Sequence, residues 1–289
     1  MIAPQHHMKC AGLNDYWQLL KPRVMSLVIF TGLCGILLAP GRIHPFVGFL
    51  AILSLAVGAG AAGCLNIWWE RDTDALMDRT KNRAVPAGRI DPNSALTFGA
   101  VLAIGSVAVM VIAVNILAAM LLAGTILFYV CVYTIFLKPR TPQNIVIGGI
   151  SGALPPVIGW AAVSNSAPIE AWILFLIIFL WTPAHFWSLC IQCQDDYKKA
   201  GIPMLPCVFG DQSTKKQIML YSVLTVLSSY LPYHYQMASS IYLVSAIVLG
   251  MIFIAMGVRF YYQKETNLQL FAFSIFYLFG LFLALLTQN

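Results

Sequence analysis

An acidic motif follows the second long apolar segment of the chain. Asn66, Glu70 and Asp74 lie four residues apart. At about 100° per residue, a step of four advances only about 40°, so the three side chains share one helix face. Carboxylates at the mouth of a membrane helix are costly unless a cation balances them. Amide and carboxylate oxygens suit Mg²⁺, which also bridges to phosphate oxygens. The motif therefore predicts a site for a metal-bound diphosphate, with Asp78 as a further metal ligand.

Basic residues follow the acidic motif within the same polar stretch. Such side chains can neutralise and clamp phosphate groups, and the sequence alone does not rank them. The candidates are Arg71, Arg79, Lys81 and Arg83. The alternative is a solvated loop of balanced charge, but such a loop has no reason to place an amide and two carboxylates on one face. Asp72 points elsewhere on the helical wheel and is a poorer metal ligand.

A second acidic cluster follows the sixth apolar segment. Asp195 and Asp196 are followed by Lys198 and Lys199. Two acidic clusters on one side of the membrane can hold two Mg²⁺ ions around one diphosphate, where the metals neutralise the charge that develops on the leaving group. We therefore expect both aspartates to be catalytic, Asp196 to bind metal and the two lysines to contact substrate.

Other polar residues lie at or within the apolar segments. Tyr133, Lys138 and Arg140 end the fourth segment, where they either bind substrate phosphate or only anchor the helix at the lipid headgroups. His185 lies inside the sixth segment, and an ionisable residue there indicates a functional site. It could ligate an iron or act as a base; the alternative is a hydrogen bond to a neighbouring helix.

The composition indicates that membrane helices position these residues. The chain has 289 residues, of which 60% are hydrophobic and 10% charged, with a mean hydropathy of +0.79. A helix needs about 20 apolar residues to cross a hydrocarbon core of about 30 Å. We predict an all-α membrane protein with nine spans, at about 24–40, 46–69, 95–114, 116–137, 145–163, 168–191, 217–233, 240–260 and 270–287. Small residues and the Pro155-Pro156 pair predict a kinked fifth span that lines a cavity.

The charge distribution predicts the orientation. Sixteen of the 17 Lys and Arg residues precede the first span or follow even-numbered spans, and Arg42 alone lies on the other side. By the positive-inside rule the N-terminus is cytoplasmic and the C-terminus outside. We expect 1–23 to be a cytoplasmic segment without a cleavable signal, in which Leu13–Leu20 lies along the membrane interface. The expected remainder is one polytopic domain, 24–289, with catalytic loops at 66–94 and 192–216.

The charge pattern also excludes one class of function and favours a location. Nucleic-acid binding does not fit, because no basic domain stands free of the membrane. We expect the chain to lie in a bacterial inner membrane.

The chain resembles the intramembrane polyprenyltransferases of the UbiA superfamily. The resemblance rests on the Asn66–Glu70–Asp74 spacing, the Arg79-Thr80 pair and the second acidic cluster. Finer motifs resemble one branch, the protoheme IX farnesyltransferases or heme O synthases. These motifs are Leu20–Val24, Arg79–Arg83, Tyr133–Gly149, Thr182–Trp187 and Asp195–Pro206. The resemblance covers nearly the whole chain.

The resemblance implies a UbiA-type bundle of nine helices around a central cavity that opens sideways to lipid. It implies farnesyl diphosphate and heme B as substrates, Mg²⁺ as cofactor, and transfer of the farnesyl group to one heme vinyl. It also points to heme A synthase or oxidase-assembly proteins as partners. Two positions depart from the superfamily pattern: Glu70 stands where Asp is usual, and the neutral Gln192 stands four residues before Asp196.

Three rival functions remain open at this stage. A related enzyme could use a quinone-precursor phenol as acceptor, although the Arg-Thr-Pro-Gln-Asn run at 140–144 and the His-Phe-Trp run at 185–187 argue against it. A transporter would place ionisable residues near the bilayer midplane within repeated halves, and no repeat is evident. A structural assembly subunit would explain neither acidic cluster.

Overall fold

The computed structural model describes residues 11–263 and 267–287, and these residues form helices and no β-strand. A π-helix, π1 (Phe128–Leu137), directly continues α6. The α-helices are α1 (Leu13–Leu19), α2 (Pro22–Leu38), α3 (Pro45–Trp69), α4 (Arg71–Asp74), α5 (Pro92–Ala113), α6 (Ile116–Leu127), α7 (Asn144–Ala153), α8 (Pro155–Ser164), α9 (Ile169–Cys190), α10 (Gln194–Lys199), α11 (Leu205–Ser228), α12 (Leu231–His234), α13 (Ser240–Tyr262) and α14 (Gln269–Leu285).

The all-helical membrane fold is confirmed, but the count of nine spans is not. Among the described residues, six helical stretches are long and apolar enough to cross a membrane, and a seventh qualifies if α1 and α2 form one span bent by 53°. α14 has only 17 residues, about 25 Å at 1.5 Å per residue. α11 does not qualify because its first half carries polar and charged residues.

Local signals in the sequence begin several of these helices. Asp91 accepts a hydrogen bond from the Ser94 backbone N–H and precedes Pro92 in the first turn of α5. Asn115 caps α6 through the Ala118 N–H. A side-chain oxygen at the N-cap satisfies a backbone donor that has no partner inside the helix, and proline lacks that donor altogether.

α9 lies at the centre of the largest core, where it packs against α7, α8, α11 and α14. Trp187, Tyr277 and Phe282 are fully buried in this core. Elsewhere α2 crosses α8 at very short range, because a Cβ on Gly159 would lie 2.1 Å from the carbonyl oxygen of Gly32. Small residues permit such close helix contacts in lipid.

The predicted break at the paired prolines and the predicted cavity are both present. α7 ends at Ala153 and α8 begins at Pro155. Beside this junction, α2, α3, α6, α7 and α8 enclose an apolar cavity of about 130 Å³. Its polar lining includes Lys21, Tyr129 and Ser151.

Candidate active site

Two side-chain contacts hold α3 beside π1 near the C-terminal ends of both helices. Asn66 donates through Nδ2 to Thr134 Oγ1 at 3.0 Å, and Lys138 Nζ lies 2.5 Å from Glu70 Oε2. Both pairs have a sequence separation of 68, as expected for two helices that run side by side in one direction. π-Helical segments are rare and occur often at functional sites.

Glu70 and Asp74 each keep one carboxylate oxygen without a partner. The two residues are only 6% and 1% exposed. Arg83 Nη1 lies 2.6 Å from Asp74 Oδ2, while Glu70 Oε1 and Asp74 Oδ1 have no hydrogen bond. An unpaired buried carboxylate oxygen is costly, and a bound cation can satisfy such an atom.

The carboxylates of Glu70 and Asp74 fit Mg²⁺ better than they fit a metal ion that is coordinated by protein side chains alone. Among the described residues, no group of three or more His, Cys, Asp or Glu side chains could hold a metal ion. Mg²⁺ needs no such group, because it commonly takes one or two carboxylates and completes its octahedron with waters and substrate phosphates. A Mg²⁺ site of that kind would need no more protein carboxylates than Glu70 and Asp74.

Lys21 belongs to this site, although the sequence did not mark it as a site residue. Its Nζ donates to Asn66 Oδ1 at 2.6 Å, and the side chain also lines the apolar cavity. The backbone of Lys21 has a φ of 53°, in the left-handed region that non-glycine residues adopt uncommonly. Asn66 Oδ1 already accepts a hydrogen bond from Lys21, so metal binding by Asn66 stays a prediction.

The second acidic cluster meets the first through Asp196. Its two carboxylate oxygens accept the backbone N–H groups of Asp78 and Arg79, each at 3.1 Å. The two loops predicted to share a substrate therefore lie in contact. Asp196 holds the backbone of the first loop in this arrangement, a contact that the sequence did not indicate.

Asp78 joins the same two loops at the surface. It accepts hydrogen bonds from Lys81 at 2.6 Å and Lys199 at 3.0 Å. These hydrogen bonds lower the pKa of Asp78 to about 2, so the carboxylate is ionised at neutral pH. Asp78 is thus paired with two lysines rather than grouped with the buried carboxylates.

Arg79 and Tyr197 form a second link between the loops. Arg79 Nη2 donates to the Tyr197 hydroxyl at 3.3 Å. Burial raises the pKa of Tyr197, which keeps its hydroxyl neutral. This contact directs Arg79 toward the second loop.

Several predicted substrate contacts lie away from the buried carboxylates. Arg71 donates to the Trp68 carbonyl at 2.9 Å, and Arg140 donates to two carbonyls near the end of π1. Lys198 donates to Gln194 at 3.0 Å. Asp195 is exposed. The roles predicted for these four residues in catalysis and substrate binding stay predictions.

Tyr133 lies between the carboxylate site and α7. It is 9% exposed, and its ring centroid lies 5.3 Å from that of Tyr129, which lines the cavity. A Cβ on Gly148 would lie 2.3 Å from Tyr133 Cδ2. Glycine is therefore required at that point for the ring to pack against α7.

His185 lies in a separate polar contact between α9 and α14. Its Nδ1 is 2.6 Å from Ser274 Oγ. Its ring stacks between Trp181 and Phe271, at centroid distances of 4.2 and 4.5 Å. The predicted alternative of a hydrogen bond to a neighbouring helix is thus observed, and iron ligation by His185 stays a prediction.

Solved structures share this arrangement of helices. A digeranylgeranylglyceryl phosphate synthase aligns with a TM-score of 0.78 at 22% identity, over 95% of this chain and 97% of its own. A UbiA homolog from Archaeoglobus fulgidus, bound to GPP and Mg²⁺, aligns with a TM-score of 0.65 at 20% identity, over 95% of this chain and all of its own. At these identities the likeness shows the fold.

Sequence relatives are much nearer. A protoheme IX farnesyltransferase from Rhizobium etli (strain CIAT 652) is 53% identical over 294 residues, which cover 100% of this chain and 93% of the relative. Another from Rickettsia felis is 51% identical over 276 residues, which cover 94% of this chain and 90% of the relative. These matches confirm the resemblance drawn from the motifs.

The family comparison covers almost the same length. The pattern of the UbiA prenyltransferase family matches residues 28–286. The chain therefore belongs to the UbiA prenyltransferase family.

Proposed function

We propose that this protein transfers the farnesyl group of farnesyl diphosphate to a vinyl group of protoheme IX. Diphosphate leaves, the vinyl group bonds to the farnesyl carbon, and water adds to the resulting carbocation with loss of a proton, giving the hydroxyethylfarnesyl group of heme O. The name shared by relatives more than 50% identical along nearly the whole chain supports this acceptor over a quinone-precursor phenol. The structural observation that carries the proposal is the pair of unpartnered buried oxygens on Glu70 and Asp74. A transporter or an assembly subunit gives no reason for that pair.

Glu70 and Asp74 would hold Mg²⁺ through their free oxygens. When bound, the metal neutralises charge on the departing diphosphate. Burial of both carboxylates favours binding, because a site with little water strengthens electrostatic attraction. Asn66 sits between Lys21 and Thr134, so its amide is held in place beside the metal ligands.

The cations around these carboxylates would bind the phosphates. Lys138 and Arg83 pair with Glu70 and Asp74, and Lys21 reaches the same site from the cavity side. Each can contact a diphosphate while it stays close to the carboxylates, since Lys and Arg carry several donors. Arg79 and Lys81 lie in the adjoining loop, and their phosphate contacts are part of the proposal.

The apolar cavity would take the farnesyl chain. It begins at Lys21 and is lined by aliphatic side chains such as Met25, Leu55 and Ile126. An apolar wall excludes water from the allylic cation that forms when diphosphate leaves. The Tyr129 ring in the same wall can stabilise positive charge through a cation–π contact.

We further propose that the protein lies in a bacterial inner membrane with the N-terminus in the cytoplasm, and that 24–289 form one domain. The buried carboxylates and the two contacting loops would then face the cytoplasm, the source of soluble diphosphates and Mg²⁺. Heme A synthase or oxidase-assembly proteins would receive the product.

Product mass tests this proposal directly. Membranes containing the protein are incubated with heme B and farnesyl diphosphate, with and without Mg²⁺. The molecular mass of the extracted heme is then measured by mass spectrometry. We expect a heme heavier by one hydroxyethylfarnesyl modification only when both substrates and Mg²⁺ are present. Farnesylation of a phenol but not of heme would overturn the proposed acceptor.

A further inference from the structure

We propose that His185 is the axial ligand of the heme iron when the acceptor binds, through its Nε2 atom. This inference rests on the proposed function, because it assigns the binding position of the acceptor. The proposed acceptor site lies between α9 and α14, and it is distinct from the carboxylates of Glu70 and Asp74.

Ser274 engages one ring nitrogen of His185. Ser274 Oγ lies 2.6 Å from His185 Nδ1 and 2.6 Å from the Phe271 carbonyl oxygen, to which it can donate. When its single hydrogen goes to that carbonyl, Oγ accepts from Nδ1–H, and the lone pair of the neutral imidazole is on Nε2. Ligation of iron through Nε2 requires this tautomer, which is part of the proposal.

This is the state of an imidazole prepared to bind metal. Histidine ligands almost always donate their other ring N–H to an oxygen, which fixes the ring orientation and raises the basicity of the ligating nitrogen. Ser274 provides that oxygen for His185.

The ring plane of His185 is also fixed before any ligand arrives. Trp181 and Phe271 stack on its two faces with interplanar angles of 15° and 22°. Trp181 donates through Nε1 to the Ser274 carbonyl at 2.8 Å, which holds α14 against α9. The His185 residue is partly exposed.

The depth of His185 suits an acceptor of the farnesyl group. It lies five residues before the end of α9 at Cys190, about 8 Å along the axis at 1.5 Å per residue. The second loop with Asp196 follows that helix end. α7 packs against both α9, which carries His185, and π1, which ends beside Lys138, the partner of Glu70.

Porphyrin binding with and without iron tests the ligand. The purified full-length protein in nanodiscs is titrated with heme B and with metal-free protoporphyrin IX, and the Soret band is followed. We expect the wild type to bind heme at least about tenfold more tightly than metal-free porphyrin, as befits a metal–ligand bond. His185→Ala should lose this preference and shift the Soret band, and added imidazole should restore the band.

Companion variants separate ligation from folding. His234→Ala changes an exposed histidine and should leave the heme spectrum and affinity as in the wild type. Ser274→Ala should weaken heme binding by about tenfold without changing the affinity for metal-free porphyrin. Mg²⁺-dependent binding of farnesyl diphosphate reports whether each variant folds. If His185→Ala does not fold, His185→Gln replaces it in the same titration.

The outcome distinguishes this inference from the proposed function. An unchanged Soret band and an unchanged preference for iron in the His185 variant would overturn the ligand, even if the wild type makes farnesylated heme. A His185 variant with a shifted Soret band and no preference for heme over metal-free porphyrin supports the ligand, even if the product assay fails. Absence of any heme binding by the wild type would overturn both.

Discussion

Glu70 and Asp74 show at the scale of single residues why this site can hold a divalent cation. Each directs one carboxylate oxygen to a lysine or arginine and leaves the other buried without a donor. A buried salt bridge alone gives little net stability, because desolvation offsets the attraction. The unpartnered oxygens therefore indicate a function, and their arrangement is better explained by a bound metal than by stability.

Replacing one of these carboxylates should stop the reaction. Asp74→Asn removes the negative charge but keeps the shape, and we expect turnover to fall by about 100-fold or more, the scale of losing a main electrostatic contact to the transition state. Asp72→Asn is the matched control, because the Asp72 side chain is 86% exposed. Equal turnover of Asp74→Asn and Asp72→Asn would rule out the metal site.

Lys21 should contribute to binding of the diphosphate. Lys21→Met removes the charge while keeping most of the side-chain volume in the cavity wall. A hydrogen bond to a charged group is worth about 1.5–3 kcal/mol, so we expect the KM for farnesyl diphosphate to rise roughly 10- to 100-fold. Arg23→Met, two residues away and exposed, should leave the KM unchanged. A rise of the same size in both variants would indicate a general charge effect.

The sequence revealed the buried acids but not their neighbours. Helical spacing predicted that Asn66, Glu70 and Asp74 share one helix face, but α3 ends at Trp69 and Asp74 lies in the separate short helix α4. Lys21 was missed because a lysine directly before an apolar helix is also what a headgroup anchor looks like. The contact of Asp196 with the backbone of the first loop depends on how two distant loops fold together, and spacing carries no information about it.

At the scale of elements, π1 and α7 position the cationic side of the site. The π-helix carries Thr134 and Lys138 to α3, and α7 supports it where Gly148 meets the Tyr133 ring. An added methyl at Gly148 has no room, because the ring already touches the backbone.

Gly148→Ala should therefore be destabilising and should also disturb the site. Overpacking of this kind costs about 1–3 kcal/mol, so we expect a lower unfolding temperature in detergent and reduced turnover. Gly124→Ala in α6 is the matched control, since a Cβ there meets no atom within 4 Å, and alanine favours helix. If both variants unfold at the wild-type temperature, the contact is not tight in the folded protein.

Hydropathy predicted the helices better than it predicted their number as spans. Each of the nine apolar segments coincides with one or more observed helices, yet length and apolarity qualify only six or seven within the described chain. α11 has a polar first half, and α2 and α14 have 17 residues each. The π-helix was not predicted, because its hydrophobic pattern does not differ from that of an α-helix.

At the scale of the whole molecule, the positions of the basic residues along the chain agree with the contacts between the loops at one end of the bundle. Both polar loops that meet through Asp196 follow even-numbered apolar segments and carry most of the basic residues. Asp15 of α1 also pairs with Arg89 of the first loop at 2.8 Å, so the described N-terminal helix lies at the same end of the bundle.

Reporter fusions test the proposed orientation. A fluorescent protein that matures only in the cytoplasm should be bright when fused after Lys199. A phosphatase that folds only outside the cytoplasm should be active when fused after Asn165, in the turn between α8 and α9. The reverse pattern would place the carboxylate site on the outer face and overturn the orientation.

Equilibrium binding of farnesyl diphosphate is the most direct test of the metal–diphosphate site. The affinity of the purified protein is measured by calorimetry at increasing Mg²⁺, for the wild type and for the Glu70→Gln and Asp74→Asn variants. We predict that Mg²⁺ tightens binding to the wild type by at least about tenfold and has little effect on either variant. If Mg²⁺ tightened binding to the variants as strongly as to the wild type, the free oxygens of Glu70 and Asp74 would not be the metal ligands.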